Sequence, residues 1–482
     1  MTRHPILAAT LIAMLTAALF LLAEAPSPII LWDESRTILN ALAMVGDGFS
    51  LVTRYGDTPD LWNTKPPLII WAMAGAVDLF GPHLWALRLP SLLAAIGTIG
   101  LVATFVRRLS GSTATALLAA AILLLSPGFW GEHAARTADY DAPLTFLTTL
   151  YALAAFHAFH QARPPLHRFG VIGVALATAL LTKSVAAFVP AAGLIAYALL
   201  TRRLPRLLRD SRYPLTAFAA LVPLALFALM REAAAPGWIA AAWHNDVAGR
   251  LSASLIGTPK PATFYLDMLV HGWAAAAPLL LLTPIALVVA RGRRRLALGF
   301  ALTMATAILI AVTAAASKLS HYALPALPFI AIAIALTVQA LLAAARARSR
   351  LALGLALVIV AIPLGQSATA SLAARALPPG PRTGTGEAAS QYGALLDALV
   401  PLGPVTILDP GFPLEDHPGY TPVLDAYRML WRLRGVTIAK VATLDRAPAT
   451  GIVASCDPVV APALGRMGRP RVTVPGCTAI RR

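Results

Sequence analysis

Charge is scarce in this sequence. Only 13% of its 482 residues are Asp, Glu, Lys or Arg, about half the share of an ordinary water-soluble domain. A soluble fold of this length is therefore excluded. Acidic residues are the scarcer sign, 22 against 39 Lys and Arg, which leaves a net charge of +17. A basic surplus can mean nucleic acid, but here the Arg residues fall in short clusters between apolar runs, as in the cytoplasmic loops of membrane proteins. No nucleic-acid partner is expected. Cysteine is scarcer still. Cys456 and Cys477 are the only two, too few for a disulfide framework, and one bridge between them is expected if their region is extracytoplasmic.

What is abundant is apolar mass, 58% of residues with a mean hydropathy of +0.72. It is gathered into runs of ~16–25 residues, long enough to cross a bilayer as helix. Runs at about 6–23, 85–106, 113–130, 142–160, two within 169–200, then 214–231, 266–290, 296–316, 322–345 and 351–367 predict a mainly α, polytopic membrane protein of about eleven transmembrane helices. The opening stretch resembles a signal peptide with a small-residue site at Ala23 to Ala25, but its apolar core from Ile6 is long for one and reads as a retained helix. With Arg3 inside, every Arg cluster falls on one side and nearly every isolated Asp, Glu, Lys and His on the other. The first outer loop, 24–84, is too polar to span and holds two amphipathic pieces, about 34–45 and 67–80.

Composition changes near residue 375. "LPPGPRTGTGEAA" reads as a linker, and "GPVTILDP", "GVTIAKVATL", "TGIVASC" and "PRVTVPG" as short β-branched strands. "YGALLDALV" and "PVLDAYRMLWRLRG" have helical spacing. The expected organisation is a transmembrane domain, 1–370, and a small extracytoplasmic α/β domain, 371–482.

Charges at the mouth of a membrane usually face a shared cavity. The outer segments supply Asp33, Glu34 and Arg36 in "WDESR", Lys65 in "NTKPPL", Arg136, Asp139 and Asp141 in "EHAARTADYDAPL", and Lys183 deep in "LLTKSVAA". They also supply His244, Asp246 and Arg250 in "WHNDVAGR", and Lys318, His321 and Tyr322 in "SKLSHYALPALP". Cations outnumber carboxylates, which suits a phosphate or diphosphate, and the carboxylates suit proton abstraction or metal binding. Plainer roles exist for each. Lys65 and Arg36 suit headgroup anchoring, and Lys183 suits snorkelling. Asp33, Glu34 and Asp141 suit helix starts. Asp139 and Asp246 read as solvated loop charges. His133, His244 and His321 match no standard ligand spacing, so no cofactor is assigned and a divalent metal is left open.

The same segments resemble a known family. "WDESR", "TKPPLIIW", "DAPLTF", "LLTKS", "GRLSA" and "KLSHYALPALP" are similar, in order over about residues 30–330, to motifs of the integral-membrane glycosyltransferases of the C-type fold. The nearest likeness is to the aminoarabinose transferases that modify lipid A and the dolichyl-phosphate-mannose protein mannosyltransferases. The resemblance implies a polyprenyl-phosphate-sugar donor, an envelope acceptor and inverting transfer on the periplasmic face. It makes Asp33 the catalytic acidic residue, with Glu34 beside it, and Asp141 the second acidic residue of the cavity. Lys65, Lys183, Arg250, Lys318 and Arg36 become donor-phosphate ligands, and Tyr322, His321, Arg136 and His244 cavity residues. Three positions depart from the pattern. Thr64 stands where the aminoarabinose transferases tend to carry Glu, Ser184 replaces the usual Gly, and His244 is offset.

The expected activity is therefore sugar transfer from a polyprenyl-phosphate donor to lipid A, protein or another envelope glycan or lipid, in the bacterial inner membrane. The alternative is a transporter or flippase of a lipid-linked sugar, which would be expected to show repeated halves with charges near the midplane. An odd helix count places the N-terminus in the cytoplasm and the C-terminus in the periplasm. An alkaline phosphatase fused at Arg482 should then be active, and an inactive fusion would place the charged segments on the opposite leaflet.

Overall fold

A computed structural model describes residues 4–23, 27–30, 32–252, 259–376, 390–414, 417–468 and 473–482. Arg3 and the linker read at 377–389 lie outside the described residues. The chain forms two compact units. One comprises residues 1–24, 59–69 and 90–376, the other 25–58, 70–89 and 377–482.

The first unit is a helical bundle. Among the described residues eight helical spans are long and apolar enough to cross a membrane, and shorter apolar helices accompany them. Each forms because a segment in lipid must satisfy its backbone groups internally. The Leu327–Arg348 helix is central, with Leu327 to Val338 all buried. It packs against Gly292–Ala314 and Thr113–Leu124, and Gly292–Ala314 packs against Val189–Leu200. Gly193 lets that last pair close up, since a Cβ there would lie 3.1 Å from the Met304 Cα. Asp141–Phe159 packs on Leu166–Lys183, which packs in turn on Arg212–Ala234.

Most of the expected spans are present, with two corrections. The run 266–290 is not one helix. It divides into Phe264–Val270, a 3-10 turn at Ala277–Leu282, and Thr283–Val289. Gly272 at φ +86° turns the chain, and Pro278 and Pro284 lack the N–H that a continuous helix needs. The run 113–130 stops at Leu124, because Pro127 biases the residue before it out of the α region. The run 169–200 breaks where Lys183 interrupts it. Leu166–Lys183 ends there, a 3-10 turn follows over Ser184–Phe188, and Val189–Leu200 continues.

The second unit is α/β. Its five-stranded mixed sheet runs Ala439–Val441, Val405–Leu408, Ile452–Ser455, Cys477–Arg481, Thr473–Val474. Val405–Leu408 is parallel to both of its neighbours, and the amphipathic Pro422–Leu433 helix makes one crossover. That helix ends at Gly435, φ +83°, whose N–H donates to the Arg432 carbonyl. Leu408, Val453, Leu464 and Ile480 form the core on one side of the sheet. Cys456 and Cys477 are joined by a disulfide.

The amphipathic piece near 34–45 becomes the Trp32–Asp47 helix, which packs against Pro422–Leu433 within this unit. Its anchor is an ion pair. Arg88, fully buried, donates from Nε to Glu34 Oε1 at 2.8 Å and from Nη2 to Oε2 at 3.1 Å, and its Nη1 reaches the Ser27 hydroxyl at 3.0 Å. This two-point geometry matches the planar guanidinium to the carboxylate. Removing one partner strands a buried charge, so Arg88→Met or Glu34→Leu alone should cost about 3–5 kcal/mol. The double replacement should recover most of that loss. Thermal unfolding in detergent measures all three, and singly tolerated changes would show that the pair holds nothing.

Candidate functional site

In the first unit the polar residues converge around the break at Lys183. The Asp141–Phe159 helix begins with its only carboxylate, and Leu166–Lys183 ends with its lysine. Lys183 Nζ lies 2.7 and 2.6 Å from the two Asp141 oxygens, and Asp141 is 2% exposed. Tyr140, not Asp141, occupies the N-cap position, so the Asp141 side chain is given to the lysine rather than to the helix end.

The loop before Asp141 adds a second pair. His133 Nδ1 lies 2.6 Å from Asp139 Oδ2, and Asp139 Oδ1 accepts the Tyr140 N–H at 2.7 Å. Burial alone would raise the Asp139 carboxyl, but the His133 imidazole and the Lys183 charge outweigh it and hold the group below the usual carboxylate range. The Asp139 backbone carbonyl accepts from the Ser91 hydroxyl at 3.0 Å. Reading Asp139 as a solvated loop charge is thus corrected. It is buried, and a buried carboxylate needs such partners.

Asp246 is corrected in the same way. Thr64 Oγ1 donates to its Oδ2 at 2.7 Å, and Lys65 Nζ stands 3.6 Å and Arg250 Nε 4.0 Å from its Oδ1. Arg250 is held further by the Asn245 carbonyl at 2.7 Å. Tyr322 lies beneath two of the cations, its ring centre 5.9 Å from Lys183 Nζ and 5.5 Å from Arg250 Cζ. The Tyr322 hydroxyl and the Ser184 hydroxyl are both buried without a hydrogen-bond partner among the described residues. His321 is buried beside them, its ring centre 4.0 Å from that of His133.

The structure therefore brings together Lys65, Asp141, Lys183, Arg250, His321 and Tyr322. Arg136 lies in the same loop as His133. Lys318 turns its Nζ to the Ala315 carbonyl at 2.8 Å, and His244 is exposed. Asp33, Glu34 and Arg36 belong to the second unit. There Glu34 is occupied by Arg88, and Arg36 is buried against Tyr55, 4.0 Å from its ring centre, with Nη1 donating to Tyr420 Oη at 3.1 Å. Asp33 is half-buried, and its carboxylate has no ion-pair partner among the described residues.

Sequence reasoning missed Asp60, Asn63, Tyr140 and Arg88. Asp60 Oδ1 accepts the N–H groups of Trp62 and Asn63 at 3.0 and 3.1 Å, an Asx turn that fixes the stretch carrying Lys65. "DLWN" carried that local signal. Asn63 Nδ2 donates to Tyr140 Oη at 2.9 Å, a link across 77 residues with no local signature.

Residues 64–230 match the family model for dolichyl-phosphate-mannose-protein mannosyltransferase. An undecaprenyl phosphate-alpha-4-amino-4-deoxy-L-arabinose arabinosyl transferase of Pseudomonas savastanoi pv. phaseolicola is 30% identical over 209 residues, 43% of this chain and 38% of that protein. Its namesake in Pseudomonas aeruginosa is 30% identical over 250 residues, 50% of this chain and 43% of the other. The crystal structure of ArnT from Cupriavidus metallidurans bound to undecaprenyl phosphate matches with a TM-score of 0.62 over 97% of both chains, at 18% identity. The Archaeoglobus fulgidus oligosaccharyltransferase matches at 0.54, with 12% identity, over 92% of this chain and 65% of that one. The chain has the C-type glycosyltransferase fold.

The likeness read from the motifs, to aminoarabinose and protein-mannose transferases, holds at the level of fold, and in sequence over the matched segments. The chain spans less than half the length of the curated relatives it matches. Within this glycosyltransferase fold, the matched segment 64–230 carries Thr64, Lys65, Asp139, Asp141 and Lys183. Ser184, which follows Lys183, has φ 42°, ψ −128°, a conformation a side chain rarely adopts. Such strain costs of order 1–3 kcal/mol. Ser184→Gly should therefore raise the melting temperature in detergent, and Ser184→Val should lower it. An unchanged or lowered value for the glycine variant would show that the break is relaxed.

Proposed function

We propose that this chain transfers a hexose or pentose from a polyprenyl-phosphate donor to an envelope acceptor, lipid A, protein or another glycan or lipid. The reaction takes place on the periplasmic face of a bacterial inner membrane, with inversion. The observation that carries the reading is the buried Tyr322 hydroxyl. It has no hydrogen-bond partner among the described residues, and the ring that carries it faces Lys183 and Arg250, so a phosphate held by those two positive charges would be near enough to the ring to accept that hydrogen bond. The likeness to an ArnT structure bound to undecaprenyl phosphate adds to it.

On this reading Lys65, Lys183 and Arg250 hold the donor phosphate and stabilise the charge that grows on it as the bond to the anomeric carbon breaks. Asp141 keeps Lys183 in place before the donor arrives. The acceptor oxygen attacks the anomeric carbon from the face opposite the phosphate, which inverts the configuration in one displacement. Its proton passes to Asp33, the role that the "WDESR" motif gives that residue. Glu34 is a positioning residue, tied to Arg88 so that the helix start is fixed. Residues 371–482 then lie in the periplasm and the N-terminus in the cytoplasm.

The test is transfer of labelled sugar from polyprenyl phosphate in liposomes. Asp33→Asn should lower turnover ~10²-fold or more with donor binding intact. Lys183→Ala should chiefly raise the KM for the donor. Near-full turnover in Asp33→Asn would reduce that carboxylate to a helix cap. Donor uptake across the bilayer without any glycosidic product would replace the transferase with a transporter.

A further inference from the structure

Two histidines in the first unit have no part in the chemistry above. His133 and His321 stand with Asp141 so that one ligand atom of each lies within 4.8 Å of the other two. The three come from separate places in the chain: the loop after Trp130, the start of the Asp141–Phe159 helix, and the 3-10 turn Ser320–Ala326. His321 is only 8% exposed, and its ring makes no hydrogen bond among the described residues. Its ring packs tilted against that of His133, centres 4.0 Å apart and planes at 34°.

We propose that His133, Asp141 and His321 bind a divalent transition metal, with zinc the best match. Two neutral imidazoles and one carboxylate form the ligand set of an open zinc site, which keeps its fourth position for an exogenous oxygen. Metal-bound histidines almost always donate their other ring N–H to a carboxylate, which fixes the tautomer and the ring. His133 has that arrangement, with Nδ1 2.6 Å from Asp139, so its Nε2 is the ligating atom. Ligand atoms in a tetrahedral zinc site lie about 3.3 Å apart, given bonds of about 2.0 Å. Rotamer adjustments of an ångström or so close the present spacing. Asp141 can serve the metal with one oxygen while Lys183 keeps the other, since a carboxylate offers about four lone-pair positions.

The surrounding charges permit a dication. Lys65, Lys183 and Arg250 oppose it, while Asp139, Asp141 and Asp246 offset them. The resulting positive balance directs the open position toward an anionic oxygen, phosphate above all. Among the described residues no such cluster surrounds Thr64. Its hydroxyl is given to Asp246, and His244 is exposed.

The experiment needs neither donor nor acceptor, so its failure is separate from failure of the transferase reading. The full chain is purified without a histidine tag, stripped with EDTA, and dialysed against buffered Zn²⁺ or, for spectroscopy, Co²⁺. Metal content by mass spectrometry should be about one per chain, with a tetrahedral cobalt spectrum. His133→Ala and His321→Ala should fall to background, while the exposed His167→Ala should match wild type. Asp139→Asn keeps all three ligands and should weaken the apparent Kd ten- to a hundredfold. Gel filtration and thermal unfolding check that each variant folds. Wild type at background, or His133 and Asp139 variants that bind as well as wild type, would overturn the site and leave a histidine pair packed ring against ring.

Discussion

A carboxylate buried in an apolar bundle has to be neutralised, and the first unit is organised around doing so. Asp141 and Lys183 neutralise each other at the junction of two helices, one beginning and one ending. Neither charge could be held alone at that depth without several kcal/mol of desolvation cost. The pairing fixes where Leu166–Lys183 must stop, and the strained Ser184 follows from that stop. Asp139 with His133, and Asp246 with Lys65 and Arg250, extend the same rule outward. The result is a patch that is nearly neutral within itself but presents cations, and a phenol with no hydrogen-bond partner among the described residues, to anything that enters.

The second unit meets the same problem at its most deeply buried carboxylate with the pair Glu34 and Arg88. Elsewhere it relies on ordinary globular means. Its sheet has β-branched strands, an amphipathic crossover helix and a disulfide that joins two points beside adjacent strands. Arg36, between Tyr55 and Tyr420, contributes packing through a delocalised cation on aromatic faces.

Much of this was legible in the sequence because it is written locally. Apolar runs marked the helices, the lysine in "LLTKS" marked a break, and the β-branched runs after residue 400 marked strands. What the sequence hid is pairing at a distance. Arg88 lies 54 residues from Glu34, inside an apolar run, and nothing near it signals a partner. Asp139 and Asp246 sit in polar loops, where solvent is the ordinary expectation, and only the fold turns those loops inward. The division of 266–290 had a local sign in its glycine and two prolines, but the continuous hydropathy of the stretch masked it.

The ion pair to Arg88 also gives meaning to the order of two letters. Successive residues on a helix point about 100° apart, so Asp33 and Glu34 cannot share a direction. The longer side chain is the one that turns inward, reaching the guanidinium with both oxygens, and the shorter one is left half-buried. "DE" and "ED" have the same charge and composition, yet only the first matches reach to depth here. In the reversed order, an inward aspartate would stop one methylene short of Arg88 while an outward glutamate gained a rotor. The motif is thus a measure of length as well as of acidity.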